Sequence, residues 1–151
     1  MPHQLSFRIS QLTGGAKVVV PYIDGTSLCD QVAAFEAEHG YDDPAGGYGG
    51  IVPEYMNYGP LDDYFLARGV SAARSEGGAQ YLLACECGEA GCWPLMGRIT
   101  ALDARYRWDS FHNPFRMTRD YRAFGPFVFE RCEYEAAISQ LVSTLALATN
   151  F

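Results

Sequence analysis

Three of the five cysteines lie close together, in the segment CECGEAGC that runs from Cys85 to Cys92. Cys85 and Cys87 are two positions apart, and residues at this spacing on a β-strand project from the same face. The glycines at 88 and 91 predict a short loop that turns the chain back on itself. Cys92 would then lie nearly opposite Cys87, where cross-strand Cβ atoms are about 4.5–5.5 Å apart. The spacing therefore predicts three sulfur atoms at one end of a hairpin.

Three interpretations of this cysteine hairpin stay open at the level of sequence. Its thiolates suit zinc or copper, with a fourth ligand from His112, Cys132, Cys29 or water. Alternatively, Cys87 and Cys92 form a redox-active pair. The third interpretation is that the cysteines are small apolar residues that pack where space is limited. Acidic neighbours at 86 and 89 argue against a reactive thiol, because a thiolate is stabilised by positive charge.

A second unusual segment covers residues 40–60, where no helical or strand periodicity is present. It is rich in Gly and Tyr and carries several acids, and a long loop of this kind in a compact domain is usually functional or mobile. Tyr offers a large contact area at low entropic cost, as recognition surfaces require. We therefore predict a non-enzymatic binding domain of the inhibitor, immunity or adaptor type that engages a protein partner. The predicted partner-binding residues are Tyr41, Asp42, Asp43, Tyr48, Glu54, Tyr55, Tyr58 and Asp62. The alternative is that the tyrosines only pack this loop against the core.

The same acids give a weaker alternative, a calcium site. Calcium takes several oxygen ligands, and Asp42, Asp43, Glu54, Asp62 and Asp63 are brought together if the Gly-rich loop folds over. No EF-hand spacing is present. Zinc on the cysteine hairpin is therefore the first cofactor hypothesis, and calcium the second.

Composition restricts the class of partner. With 11 Lys and Arg against 18 Asp and Glu, the net charge is −7, and such a chain repels nucleic-acid phosphates and anionic membranes. The first residues, 1–11, contain no apolar run of the kind found in export signals, and no segment approaches the length of a bilayer span. We therefore expect a cytoplasmic protein with reduced thiols that binds neither nucleic acid nor membrane.

The elements that must position these residues predict an α+β fold. Alternation at 5–12 and a β-branched run at 17–23 predict a hairpin, and Pro21 within it suggests an edge position or a bulge. A helix from a cap at Thr26 or Ser27 to about His39, ended by Gly40, follows it. Further strands are predicted at 81–87, 92–102, 105–111 and 121–129, and the longest helix at 131–148. The expected architecture is a single domain over 1–151, an antiparallel sheet of about five or six strands with two main helices on one face.

The run CECGEAGCWP at 85–94, followed by WDSF at 108–111, Asn113-Pro114 and GPFVF at 125–129, resembles a family of small bacterial proteins without assigned function. The resemblance covers most of the chain after residue 25. It implies a shared fold and adds no chemistry, because the position after Pro114, which is commonly His in that pattern, is Phe115 here.

Overall fold

The computed structural model describes residues 2–68, 78–89 and 93–149. Within these ranges, three helices and eight strands form two antiparallel sheets, which confirms the predicted α+β class. A single cluster of buried apolar side chains joins both sheets and all the helices, with Val19, Phe65, Leu82, Trp108 and Tyr134 among its members.

The N-terminal sheet has three strands, β1 (Leu5–Gln11), β2 (Lys17–Ile23) and β3 (Thr26–Ser27), in that order. The β1–β2 hairpin has an unbroken register from Leu5 opposite Ile23 to Gln11 opposite Lys17. β2 is therefore the central strand, so Pro21 marks neither an edge nor a bulge. Pro21 is tolerated because β2 has few partners on its side away from β1. On that side, only Tyr22 and Ile23 pair with β3, and Val19 forms an isolated bridge with Ile51.

The second sheet is the predicted antiparallel sheet, and the order of its five strands follows the chain. These strands are β4 (Tyr48–Gly49), β5 (Ala79–Cys85), β6 (Leu95–Ala101), β7 (Arg105–His112) and β8 (Phe127–Glu130). Three strands differ from the predicted bounds by two residues or more at one end or both: β5 covers 79–85 instead of 81–87, β6 covers 95–101 instead of 92–102, and β8 begins at Phe127 instead of 121.

Helix α1 (Leu28–Glu38) begins where the sequence predicts. The Ser27 hydroxyl accepts a hydrogen bond from the backbone N–H of Asp30 at 3.0 Å, which satisfies one of the unpaired donors of the first turn. Gly40 follows the end of the helix with φ +75°. Glycine adopts this conformation at little cost because it has no side chain.

The other helices are α2 (Leu61–Phe65) and α3 (Arg131–Thr149). α3 buries Tyr134, Ile138 and Leu141, which recur at spacings of three and four as an amphipathic helix requires. None of the helices in the described ranges combines the length and the apolar character that crossing a membrane demands.

Candidate functional site

The apolar face of α1 contains one charged residue, Glu36. Leu28, Val32 and Glu36 are four residues apart and lie on the same stripe of the helix, and Glu36 is 0% exposed. A carboxylate removed from water is very costly to bury unless hydrogen bonds and an opposite charge compensate it. The partners of Glu36 therefore define the most demanding polar site in the described part of the chain.

Four donors surround the Glu36 carboxylate. Oε1 accepts the backbone N–H of Gly46 at 2.8 Å. Oε2 accepts the hydroxyl groups of Tyr48 at 2.8 Å and Tyr121 at 2.5 Å, and one guanidinium nitrogen of Arg119 at 2.9 Å. We call these five residues the Glu36 network. It joins helix α1 to the segment that follows it, residues 44–48, and to a segment far away in the sequence, residues 113–122.

Arg119 supplies the compensating charge and is itself enclosed. Its side chain is 6% exposed, and its second terminal nitrogen donates to the carbonyl of Pro44 at 2.8 Å. The guanidinium also lies 5.2 Å from the centre of the Trp93 ring, whose indole N–H donates to the carbonyl of Gly46 at 2.8 Å. Burial lowers the pKa of Arg119, but hydrogen bonds to Tyr121 and Glu36 outweigh it, so the net pKa is raised and the positive charge is secured.

Both phenols of the network stay protonated at neutral pH. Burial raises the pKa of Tyr121 to about 12, with a further contribution from its hydrogen bond to Glu36. Burial also raises the pKa of Tyr48, and the side-chain amide of Asn113 donates to its oxygen at 3.3 Å. The network is thus a carboxylate saturated by fixed donors. Its physical effect is to hold two loops in one conformation, with Arg119 at the point where it reaches the surface.

Above Arg119 the two loops enclose a surface cleft of about 570 Å³. One wall comes from the segment after α1 and the other from the segment after β7. The lining residues are Gly40, Tyr41, Asp42, Asp43, Pro44, Arg116, Thr118 and Arg119. The loops are joined directly as well, because the hydroxyl of Tyr41 accepts the backbone N–H of Asp120 at 2.9 Å.

The second loop exposes large side chains next to this cleft. Phe115 is 54% exposed, and Met117, at 78%, has the largest exposure among the large apolar side chains that the structure describes. Between them, the guanidinium of Arg116 stacks on the Trp93 ring at 4.3 Å. We define the two-loop surface by its exposed residues and its cleft walls: Tyr41, Asp42, Asp43, Phe115, Arg116 and Met117.

The structure divides the partner-binding residues predicted from the sequence into separate groups. Tyr41, Asp42 and Asp43 lie together at the cleft. Tyr48 and Tyr58 are buried, at 7% and 3% exposure, and present no surface to a partner.

The remaining predicted residues lie elsewhere. Glu54 is exposed and accepts the backbone N–H of Lys17 at 3.2 Å. Tyr55 is 47% exposed and packs over the turn at Gly88, where an added Cβ would meet its ring. Asp62 belongs to α2, where Arg68 pairs with it at 3.6 Å. The predicted residues therefore do not form one surface, and only the first three join the cleft.

The cysteine hairpin is described in part, because Cys92 lies outside the described residues. Cys85 ends β5, and the N–H of Gly88 donates to its carbonyl at 2.8 Å, so Cys87 occupies a turn and is exposed. The expectation that one strand carries both Cys85 and Cys87 is therefore wrong, since the strand ends at Cys85. The redox pairing of Cys87 with Cys92 stays a prediction.

No group of three or more His, Cys, Asp or Glu side chains within the described ranges is arranged to hold a metal ion. These ranges contain Cys85, Cys87 and His112 but not Cys92, so a zinc site completed by Cys92 stays a prediction. The predicted calcium ligands are all described, and the structure does not bring them together. Of the other thiols, Cys29 is enclosed in α1, where burial raises its pKa to about 11 and keeps it protonated at neutral pH.

Sequence reasoning missed the Glu36 network, although one signal for it was present. A Glu at the position that continues the Leu28–Val32 stripe contradicts the apolar face and requires a buried cation. Arg119, Tyr121 and Trp93 carried no comparable signal, because they reach Glu36 only through the tertiary fold.

Comparison with known proteins gives no match to this chain among family models, curated proteins or solved structures. The resemblance to a family of small bacterial proteins therefore stays a prediction.

Proposed function

We propose that this protein is a non-enzymatic binding domain that engages a protein partner through the two-loop surface, in the manner of an inhibitor, immunity or adaptor protein. The observation that carries this proposal is that a buried, hydrogen-bonded ion pair, Glu36 with Arg119, fixes two irregular loops around an open cleft. The proposal includes a cytoplasmic location.

Pre-organisation is the first physical argument. A loop that must become ordered on binding loses conformational entropy, which weakens the complex. Here the loops contain little regular structure between Gly40 and Pro60, yet the network holds Gly46 and Tyr48 on one side and Arg119 and Tyr121 on the other. The loops therefore enter a complex with much of this ordering already complete.

The chemistry of the surface is the second argument. Aromatic residues, Met and Arg are enriched at protein interfaces relative to the rest of a protein surface, and Phe115, Arg116 and Met117 are consecutive here. Exposed apolar side chains of this size favour a partner with an apolar pocket. Asp42 and Asp43 on the opposite wall, in a chain of net charge −7, favour a partner whose surface is basic.

A site-specific cross-linking experiment tests the proposal in cells of the natural host. A photoreactive amino acid replaces Met117 in one variant and Leu102, 37% exposed in the turn between β6 and β7, in a control variant. We expect one protein to be cross-linked from position 117 and not from position 102. This partner is then purified, and its Kd is measured with the wild-type chain and with variants.

The affinity measurement decides the outcome. Phe115→Ala with Asp43→Asn is expected to weaken binding at least about tenfold, which corresponds to 1.4 kcal/mol. The matched control Leu102→Ala also truncates an exposed apolar residue and should leave Kd unchanged. Equal affinities for the wild type and the Phe115→Ala/Asp43→Asn variant would contradict the proposal.

A further inference from the structure

The turn that carries Cys85 and Cys87 is bonded to the loop that follows α1, one of the two loops of the two-loop surface. We call residues 85–89 the cysteine turn. Its first residue, Cys85, pairs with Tyr48 between β5 and β4, and the N–H of Glu86 donates to the carbonyl of Gly47 at 3.0 Å. The cysteine turn therefore holds the backbone of this loop directly.

Trp93, which follows the turn in the sequence, contacts both loops. Its indole N–H donates to the carbonyl of Gly46 at 2.8 Å. The centre of its ring lies 4.3 Å from the guanidinium carbon of Arg116 and 5.2 Å from that of Arg119. The N–H of Gly46 donates to the carboxylate of Glu36. The loop after α1 therefore has two supports, the Glu36 network and the part of the chain that carries the cysteine turn.

The cysteine turn is closely packed. The N–H of Gly88 donates to the carbonyl of Cys85 at 2.8 Å, and the N–H of Cys85 donates to the carbonyl of Glu89 at 3.3 Å. Gly88 has φ +94°, and a Cβ added there would lie 2.8 Å from side-chain atoms of both Leu12 and Tyr55. Tightly packed groups transmit a displacement to their neighbours. A change in the backbone at Cys85 is therefore passed to the loop that pairs with it.

The spacing of the two thiols suits a disulfide. Cys85 and Cys87 are the first and third residues of the turn, so their Cα atoms are at most about 7.6 Å apart. Folding of the chain in a turn shortens this distance, and disulfides form at Cα distances of about 4.4–6.8 Å. Cys87 is exposed and Cys85 is half-buried, so a small-molecule oxidant reaches the turn.

We propose that the cysteine turn is a redox-responsive control of the two-loop surface, an inference that rests on the proposed binding function. In the reduced state the turn supports the loop, and the surface is competent to bind. Oxidation joins Cys85 and Cys87 in a disulfide, which draws Cys85 out of the extended conformation that pairs with Tyr48. The two-loop surface then loses one of its supports and binds its partner more weakly.

The reaction requires a small-molecule disulfide such as oxidised glutathione. The thiolate of Cys87 attacks one of its sulfurs, a mixed disulfide forms, and one glutathione thiolate leaves. The thiolate of Cys85 then attacks the Cys87 sulfur and displaces the second glutathione. The two cysteines are thereby oxidised, one glutathione disulfide is reduced to two thiols, and the two cysteine protons end on the glutathione sulfurs. The acidic neighbours at 86 and 89 disfavour the thiolates, so the reduced turn persists until the oxidant is abundant.

Tandem mass spectrometry of the purified full-length chain tests the covalent step. After incubation with excess oxidised glutathione, an unreduced digest should contain a bond between Cys85 and Cys87. Cys87→Ser removes this bond, whereas Cys132→Ser, a matched change at another exposed cysteine, should leave it intact. Absence of the bond, or a bond from Cys87 to Cys92 in its place, would overturn the proposal.

NMR spectra of the same samples test the coupling to the loop without any partner. Oxidation should shift the amide signals of Gly47 and Tyr48 and the indole signal of Trp93. The indole signal of Trp108, whose N–H donates to Tyr134 in the core at 3.0 Å, should not move. A disulfide that leaves the first three signals in place would contradict the proposed coupling.

Partner affinity tests the functional consequence. The oxidised chain should bind the cross-linked partner at least about fivefold more weakly than the reduced chain, and reduction with dithiothreitol should restore the Kd. Cys87→Ser should bind equally well with and without oxidant. Equal Kd values for the oxidised and reduced wild type would refute the proposed control. The effect of Phe115→Ala/Asp43→Asn on the reduced chain tests the proposed function separately.

Discussion

Replacing Glu36 by Gln changes one buried charge and almost no volume. The amide keeps a single acceptor oxygen, which can face either Gly46 or the cluster of Tyr48, Tyr121 and Arg119. If the oxygen faces the cluster, the amide NH₂ opposes the N–H of Gly46, donor against donor. In either orientation the guanidinium of Arg119, with a side chain 6% exposed, loses its counter-charge.

The expected cost follows from this geometry. Removing one partner of a buried ion pair costs about 3–5 kcal/mol, because the other charge remains buried without compensation. A domain of this size is stable by only about 5–15 kcal/mol, so the variant loses a large part of its free energy of unfolding. The melting temperature should fall by roughly 10 °C.

Urea unfolding followed by the fluorescence of Trp93 and Trp108 measures the effect. We expect a lower midpoint with an unchanged slope. Asp120→Asn is the matched control: it makes the same chemical change in an exposed pair with Arg122, and it should not shift the midpoint measurably.

A double-mutant cycle with Arg119→Met separates the pair from its surroundings. The losses in free energy of unfolding of the two single variants should not add up to the loss of the double variant, and the difference, the coupling energy, should be about 1–3 kcal/mol. A loss below about 1 kcal/mol for Glu36→Gln, comparable to one ordinary neutral hydrogen bond, would refute the reasoning.

Two further predictions concern the same loops. Gly50→Ala places a Cβ 2.2 Å from the carbonyl oxygen of Val19, so urea unfolding should show a loss of about 3 kcal/mol in the free energy of unfolding. Gly14→Ala is the control and should be tolerated, because its added Cβ meets nothing within 4 Å. Equal urea midpoints for the two variants would show that the loop yields at Gly50. Alkaline pH should also destabilise the fold, because folding raises the pKa of Tyr121 from 10.0 to about 12. The stability that this phenol contributes is complete below pH 10 and is lost as the pH rises through 12. The melting temperature should therefore fall over that range, and it should fall less steeply for Tyr121→Phe.

The sequence predicted the elements whose periodicity is regular. β2 has the predicted bounds, Ser27 caps α1 as expected, and α3 buries the stripe of Tyr134, Ile138 and Leu141. In each case the side-chain pattern and the terminating residues indicate the same element, so local information is sufficient.

The predictions that failed concern elements whose bounds depend on tertiary pairing. β8 was expected from residue 121, but Tyr121 is held by Glu36 and Gly125 has φ +76°, so the extended ladder begins only at Phe127. β4 is two residues long and exists because Tyr48 pairs with Cys85. No periodicity marks such a strand in the sequence.

The same distinction applies to the candidate site. Tyr41, Asp42 and Asp43 were identified because residues 40–60 are unusual in composition, and they do lie at the cleft. The second loop, with Phe115, Arg116 and Met117, was missed, since consecutive residues of mixed type carry no pattern until a fold places them beside another loop.

The buried ion pair connects the stability of the fold with the proposed binding function. A well-packed apolar group in place of Glu36 and Arg119 would often give equal or greater stability, so stability alone is a weak reason for a charge at 0% exposure. Apolar contacts, however, are non-directional, whereas four hydrogen bonds to one carboxylate fix the positions of Gly46, Tyr48, Arg119 and Tyr121 relative to α1. Our hypothesis is that this directional control is what the network contributes. It gives the two-loop surface one shape in the free protein, which is the property that a binding surface built on loops requires.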